Sequence, residues 1–180
     1  MSSEKKNTVL LGLAFLVFLV LSSVENTVFF QVLSDVLLNP FLAIPMLFIH
    51  DLLVVSIIIL GMTFYVNLVL HFFKENKYEL TVIEHPRVFA TVFTVVILLL
   101  SILRGSNLIY GGVSVEALPV ILFVSAPIGI VEGYGIYLAI RKTLSRSMSM
   151  RELCYIYGIF LVAAVMEVVF INVLLAVTTK

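Results

Sequence analysis

Glu132, Glu167 and the adjacent pair His50-Asp51 are ionisable residues set within long apolar runs, and any chemistry this chain does would start from them. A charged side chain in hydrocarbon costs at least roughly 2.5–3.5 kcal/mol on insertion scales, so such groups face the protein interior or water. Around Glu132 the chain reads Ser125-Ala126-Pro127-Ile128-Gly129-Ile130-Val131-Glu132-Gly133. Ser125, Gly129 and Gly133 recur every four residues, a stripe that lets a second helix backbone approach closely. Pro127 removes a backbone donor and frees a carbonyl nearby. Two readings of Glu132 follow. It is a proton or cation site, or a neutral acid or ion pair that hydrogen-bonds between helices and fixes their packing. The same alternatives apply to Glu167. Asp51 has a plainer one, capping the start of its helix near the positive end of the dipole.

The rest of the inventory excludes much. There is no His-Glu-x-x-His, Gly-x-Ser-x-Gly, phosphate-loop or dinucleotide motif. Three histidines and the lone Cys154 are too dispersed for a metal centre or a disulfide framework. Cys154 reads as a small apolar filler. The expectation is a protein that is not an enzyme and uses neither cofactor nor metal. Zero formal net charge, with no basic tract, gives no reason to expect nucleic acid.

The elements that position these residues are membrane helices. Of the 180 residues 62% are hydrophobic and 12% charged, with mean hydropathy +1.19. Soluble domains are about 45–50% apolar, so the excess must face lipid, and the fold class is an all-α polytopic helix bundle. Apolar runs of about 20 residues are needed to cross a bilayer. The runs at Val9–Val24, Met46–Phe73, Val88–Leu103, Leu118–Ile140 and Leu153–Val177 predict five spans in one transmembrane domain. The first follows Lys5 and Lys6, as a signal peptide would. The sequence Ser22-Ser23-Val24-Glu25 is an indifferent cleavage site, so a retained helix is expected.

Between the first two spans, Thr27, Gln31, Ser34 and Asp35 recur at helical spacing opposite Phe29, Val32, Val36 and Leu37. Residues Val24–Asn39 therefore read as an amphipathic helix, lying at the interface or re-entering the bilayer. Asn39-Pro40 and Pro45 are expected to break the chain before the second span.

Nine of the eleven basic residues (Lys5, Lys6, Lys74, Lys77, Arg87, Arg141, Lys142, Arg146 and Arg151) fall on one side of these spans. The other side keeps Arg104 and Lys180. The positive-inside rule then gives a multi-pass cell-membrane protein with its N-terminus cytoplasmic and its C-terminus outside. Glu132 lies roughly 13 Å from the cytoplasmic end of its span and Glu167 roughly 24 Å from Arg151. His50 and Asp51 lie about one turn inside the outer end of theirs.

Two stretches resemble the stage II sporulation protein M family of small integral membrane proteins. Leu47-Phe48-Ile49-His50-Asp51-Leu52, followed by Gly61, looks like the family's asparagine-rich span start, with His50 and Asp51 at the asparagine positions. Pro127-Ile128-Gly129-Ile130-Val131-Glu132 looks like its proline–glutamate element, with Ile128 in place of the family histidine. The resemblance implies a membrane scaffold that recruits partners, including cell-envelope proteins such as wall hydrolases. Together with the small-residue stripe it gives the leading expectation, a non-enzymatic scaffold that forms a homodimer or joins a larger membrane complex. The alternative is an ion- or proton-linked channel or transporter using Glu132 with Glu167 or Asp51. A weaker third reading is lipid binding by the basic Arg141–Arg151 loop.

Overall fold

A computed structural model describes residues 3–36, 39–72, 77–110 and 118–178 of the chain, and all the elements in them are helices. In chain order these are α1 (Ser3–Val36), α2 (Pro40–Phe72), α3 (Lys77–Glu84), α4 (Pro86–Tyr110), α5 (Leu118–Leu144) and α6 (Met150–Thr178). Stretches of α1 (Lys5–Phe29), α2 (Pro40–Phe72) and α6 (Met150–Val173) are each long and apolar enough to cross a membrane. Helix α4 carries a shorter apolar stretch, Pro86–Leu100.

Helix α2 is the hub, packing on α1, α5 and α6, while α4 packs on α5. The larger apolar cluster joins Val55 and Val66 of α2, Ala90 of α4, Ile136, Ile140 and Leu144 of α5, and Ile156 and Phe160 of α6. A second cluster joins Phe29 of α1, Ala43 and Leu47 of α2, and Ala164 and Val168 of α6. Many of the other described apolar side chains are exposed, among them Leu10, Leu13, Val17, Val20 and Val24 of α1. A helix apolar on all sides has no amphipathic face to orient it in water, and a bilayer is the solvent that suits it.

The boundaries differ from expectation in three places. Of the segment 24–39, residues 24–36 continue α1 without a break rather than forming a helix of their own, and residues 37–38 lie outside the described residues. No Gly or Pro lies between Gly12 and Pro40 to stop the helix. Two of its polar side chains bond back to the helix, Asn26 Nδ2 donating to the Ser22 carbonyl and Thr27 Oγ1 to the Ser23 carbonyl. Helix α2 begins at Pro40 rather than near Met46. Asn39 Oδ1 accepts from the Phe41 N–H, which caps the helix, and Pro40 sits where a missing N–H costs nothing. Pro45 then rides in the second turn with its ring outward and does not break the helix. The short α3, before Pro86, was not foreseen.

Tight contacts fix the register. A Cβ on Gly12 would lie 2.7 Å from the Phe64 ring, and one on Gly61 would lie 2.8 Å from the Phe15 ring. These reciprocal notches hold α1 and α2 antiparallel. A Cβ on Gly135 would lie 2.8 Å from Phe160, setting α5 against α6, and one on Gly133 would lie 2.8 Å from Leu98, setting α5 against α4.

The α5–α6 connection is specified atom by atom. Arg146 takes a left-handed conformation (φ 54°), with its N–H donating to the Thr143 carbonyl and that of Ser147 to the Lys142 carbonyl. That is a Schellman ending of α5. A capping box opens α6: the Ser149 hydroxyl accepts from the Glu152 N–H, and the Glu152 carboxylate accepts from the Ser149 N–H. Lys142 completes the corner by pairing with Glu152.

Candidate functional site

Asp51, Glu132 and Glu167 lie on the core-facing stripes of their helices, which turns them toward one another. On α2, Asp51 is four residues from Leu47 and four from Val55, both buried. On α5, Glu132 continues the stripe of Ile136 and Ile140. On α6, Glu167 follows Phe160 and the fully buried Ala163 and Ala164. In an α-helix residues three and four apart share a face, so each acid points where its buried neighbours point. Leu47 and Val55 belong to different apolar clusters, so Asp51 stands between the two.

Register puts the groups at one level. Extending the antiparallel pairing of Gly135 with Phe160 sets Glu132 opposite Ala163. Extending the contact of Ser56 with Tyr157, whose hydroxyls lie 3.0 Å apart, sets Asp51 opposite Val162. Glu167 lies about one turn further along α6. Asp51 accordingly feels the charges of Glu132, Glu167 and Glu25, and Glu132 that of Glu167. All three acids are half-buried, and Asp51 Oδ2 is a buried oxygen with no hydrogen-bond partner among the described residues.

His50 faces the other way, toward α1. Its Nδ1–H donates to both oxygens of the Glu25 carboxylate, at 3.1 and 3.2 Å, and its ring stacks on Phe29 with centroids 4.0 Å apart and planes 13° from parallel. His50 and Glu25 side chains are 15% and 25% exposed, so this pair is largely withdrawn from solvent. The polar layer thus spans four helices: Glu25 on α1, His50 and Asp51 on α2, Glu132 on α5 and Glu167 on α6. Among the described residues no Lys or Arg is paired into it, and no group of three His, Cys, Asp or Glu is arranged to hold a metal ion.

The packing residues divide. Gly133 meets α4, whereas among the described residues nothing lies within 4 Å of the position a Cβ on Gly129 would take. Pro127 is exposed, and the side chain of Ser125 lies outside the described residues. Of the stripe, Gly133 is thus the member packed against α4 among the described residues. The sequence gives no sign that Glu25 pairs with His50, that Phe29 stacks on it, or that Gly12 and Gly61 are notches for aromatic rings. Their partners lie about 25 to 50 residues away, and only the α1–α2 register reveals them. Cys154 is free and exposed.

No protein-family profile, curated protein or solved structure matches the chain.

Proposed function

We propose that the chain is an integral membrane protein of five spans (α1, α2, α4, α5 and α6) whose polar layer serves a proton- or monovalent-cation-linked channel or transporter. The observation that carries this reading is the convergence of Asp51, Glu132 and Glu167 from three helices into one layer that no described Lys or Arg enters. Like charges brought together in a low-dielectric layer repel one another. The counter-charge that suits such a layer is a proton or a small cation, and groups able to exchange one are the usual stations of membrane pathways. The N-terminus is placed in the cytoplasm and the C-terminus outside by the distribution of basic residues.

Proton and monovalent-cation flux into proteoliposomes tests this directly. Wild-type protein is expected to carry flux above empty liposomes, and Glu132→Gln, matched for reconstitution and helicity, is expected to abolish it. Wild-type flux no greater than that of empty liposomes overturns the reading.

A second reading, a non-enzymatic scaffold like the sporulation proteins that the sequence resembles, is favoured by the space beside Gly129 among the described residues. With Pro127 exposed and Ile130 72% exposed, this part of α5 offers a surface on which a second copy or another membrane protein can pack. In this reading the homodimer is built on that stripe. Gly129→Leu is then expected to halve the particle mass in detergent while leaving the helix content unchanged. An unaltered mass excludes the stripe as the dimer contact.

A further inference from the structure

Helix α1 leans on the bundle through α2, and their contact leaves a groove. The Phe15 ring fills the notch at Gly61, the Phe64 ring fills the notch at Gly12, and the two rings stack with centroids 6.3 Å apart. Wedging two rings between the backbones in the middle of the contact opens a furrow toward the N-terminal end of α1. It has a volume of about 510 Å³ and an almost wholly apolar lining that includes Leu13, Leu16, Phe64, Leu68 and Phe72. Apart from Thr8 at one end, the furrow offers water no polar partner among its lining residues. A hydrocarbon chain suits it.

The mouth of the furrow is cationic. Lys5 and Lys6 are exposed on the first turns of α1, and Lys5 Nζ lies 5.3 Å from the centroid of Phe72, one of the lining rings. That cation–π contact holds the ammonium over the furrow's end. Polar groups sit beside it: Thr8 Oγ1 is 3.4 Å from His71 Nδ1, which donates at 2.8 Å to the Asn67 carbonyl. The furrow thus has an apolar body and a positively charged rim at one end, with Glu4 the acid in the same stretch of sequence.

We infer that the α1–α2 furrow binds an anionic glycerophospholipid, with one acyl chain against Leu13, Leu16 and Leu68 and the phosphate at Lys5 and Lys6. Charge complementarity selects this occupant over a zwitterionic lipid. An ammonium donates charge-assisted hydrogen bonds to phosphate oxygens in either case, but only the anionic head group leaves a net charge for the second lysine to neutralise.

The chain contains no tryptophan, which makes the site measurable. Leu16→Trp puts a single fluorophore in the furrow, and Leu13→Trp is a second choice should the first not fold. Val162→Trp puts one on an exposed face of α6 as a control. The proteins are reconstituted in phosphatidylcholine vesicles containing brominated phosphatidylglycerol or brominated phosphatidylcholine. Brominated phosphatidylglycerol is expected to quench the furrow tryptophan at about fivefold lower mole fraction than brominated phosphatidylcholine. The control should show no preference, and Lys5→Gln with Lys6→Gln should erase the preference in the furrow. Equal quenching by the two lipids overturns the inference, as does a preference that survives loss of both lysines. A furrow tryptophan shielded from both lipids, as by a second copy seated there, overturns it too. None of these outcomes depends on whether the polar layer carries flux.

Discussion

The hairpins α1–α2 and α5–α6 are both antiparallel and both carry a basic side chain paired with a glutamate, but one pair lies within the length of its helices and the other at the corner that joins them. Lys142 meets Glu152 at the corner between α5 and α6, where backbone groups already need partners. Glu25 meets His50 far from any helix end, among Phe29 and the apolar faces of α1 and α2. The first pair adds to a turn that the Schellman ending and capping box already define. The second is a polar contact that ties α1 to α2 within their lengths. A pair held out of water is weak evidence for net stability, yet removing one partner is costly because the other keeps its charge without compensation. A basic side chain paired with a glutamate therefore answers a different need in each hairpin.

The comparison breaks first at His50. His50→Ala leaves Glu25 alone in the layer and is expected to destabilise the bundle by about 3 kcal/mol, read from denaturant unfolding in detergent micelles. Replacing both members, Glu25→Gln with His50→Gln, should recover most of that loss. If the single and double variants unfold alike, the pair is not a charge pair in the folded protein. Next comes packing. Gly135→Val pushes a methyl into the buried Phe160 ring and should cost about 2 kcal/mol by the same measurement. At the corner the effect is smaller: Ser149→Ala removes one half of the capping box and should cost about 1 kcal/mol. A Ser149→Ala loss as large as that of His50→Ala would erase the distinction between the two hairpins.

Much of the helical architecture is legible in the sequence, because long apolar runs admit few alternatives. The stop at Asn39-Pro40 and the acids at 51, 132 and 167 are visible as departures from those runs. What is not legible has a common cause. The polar residues of 24–36 have helical spacing whether that helix stands alone or continues another, and nothing local separates the two cases. Pro45 looks like a breaker, but one turn into a helix and facing outward it removes a single hydrogen bond and no packing. The layer itself needs three registers at once, each set by a glycine notch or a hydroxyl contact between residues 25 to 101 positions apart. Glu25 reads as the end of an apolar run until His50 is brought against it.

The ties between α1 and α2 occur at three heights: Thr8 beside His71, the paired glycine notches, and Glu25 with His50. Helices joined so often cannot slide past or splay from one another, and they move as one plank. At 33 residues α2 is about 50 Å long, against a hydrocarbon thickness of about 30 Å. A plank longer than the slab it crosses lies over in a thin bilayer and stands up in a thick one, with a modest cost per ångström of mismatch. Since α2 also carries Asp51, membrane thickness would set the angle at which one wall of the polar layer is presented to the others.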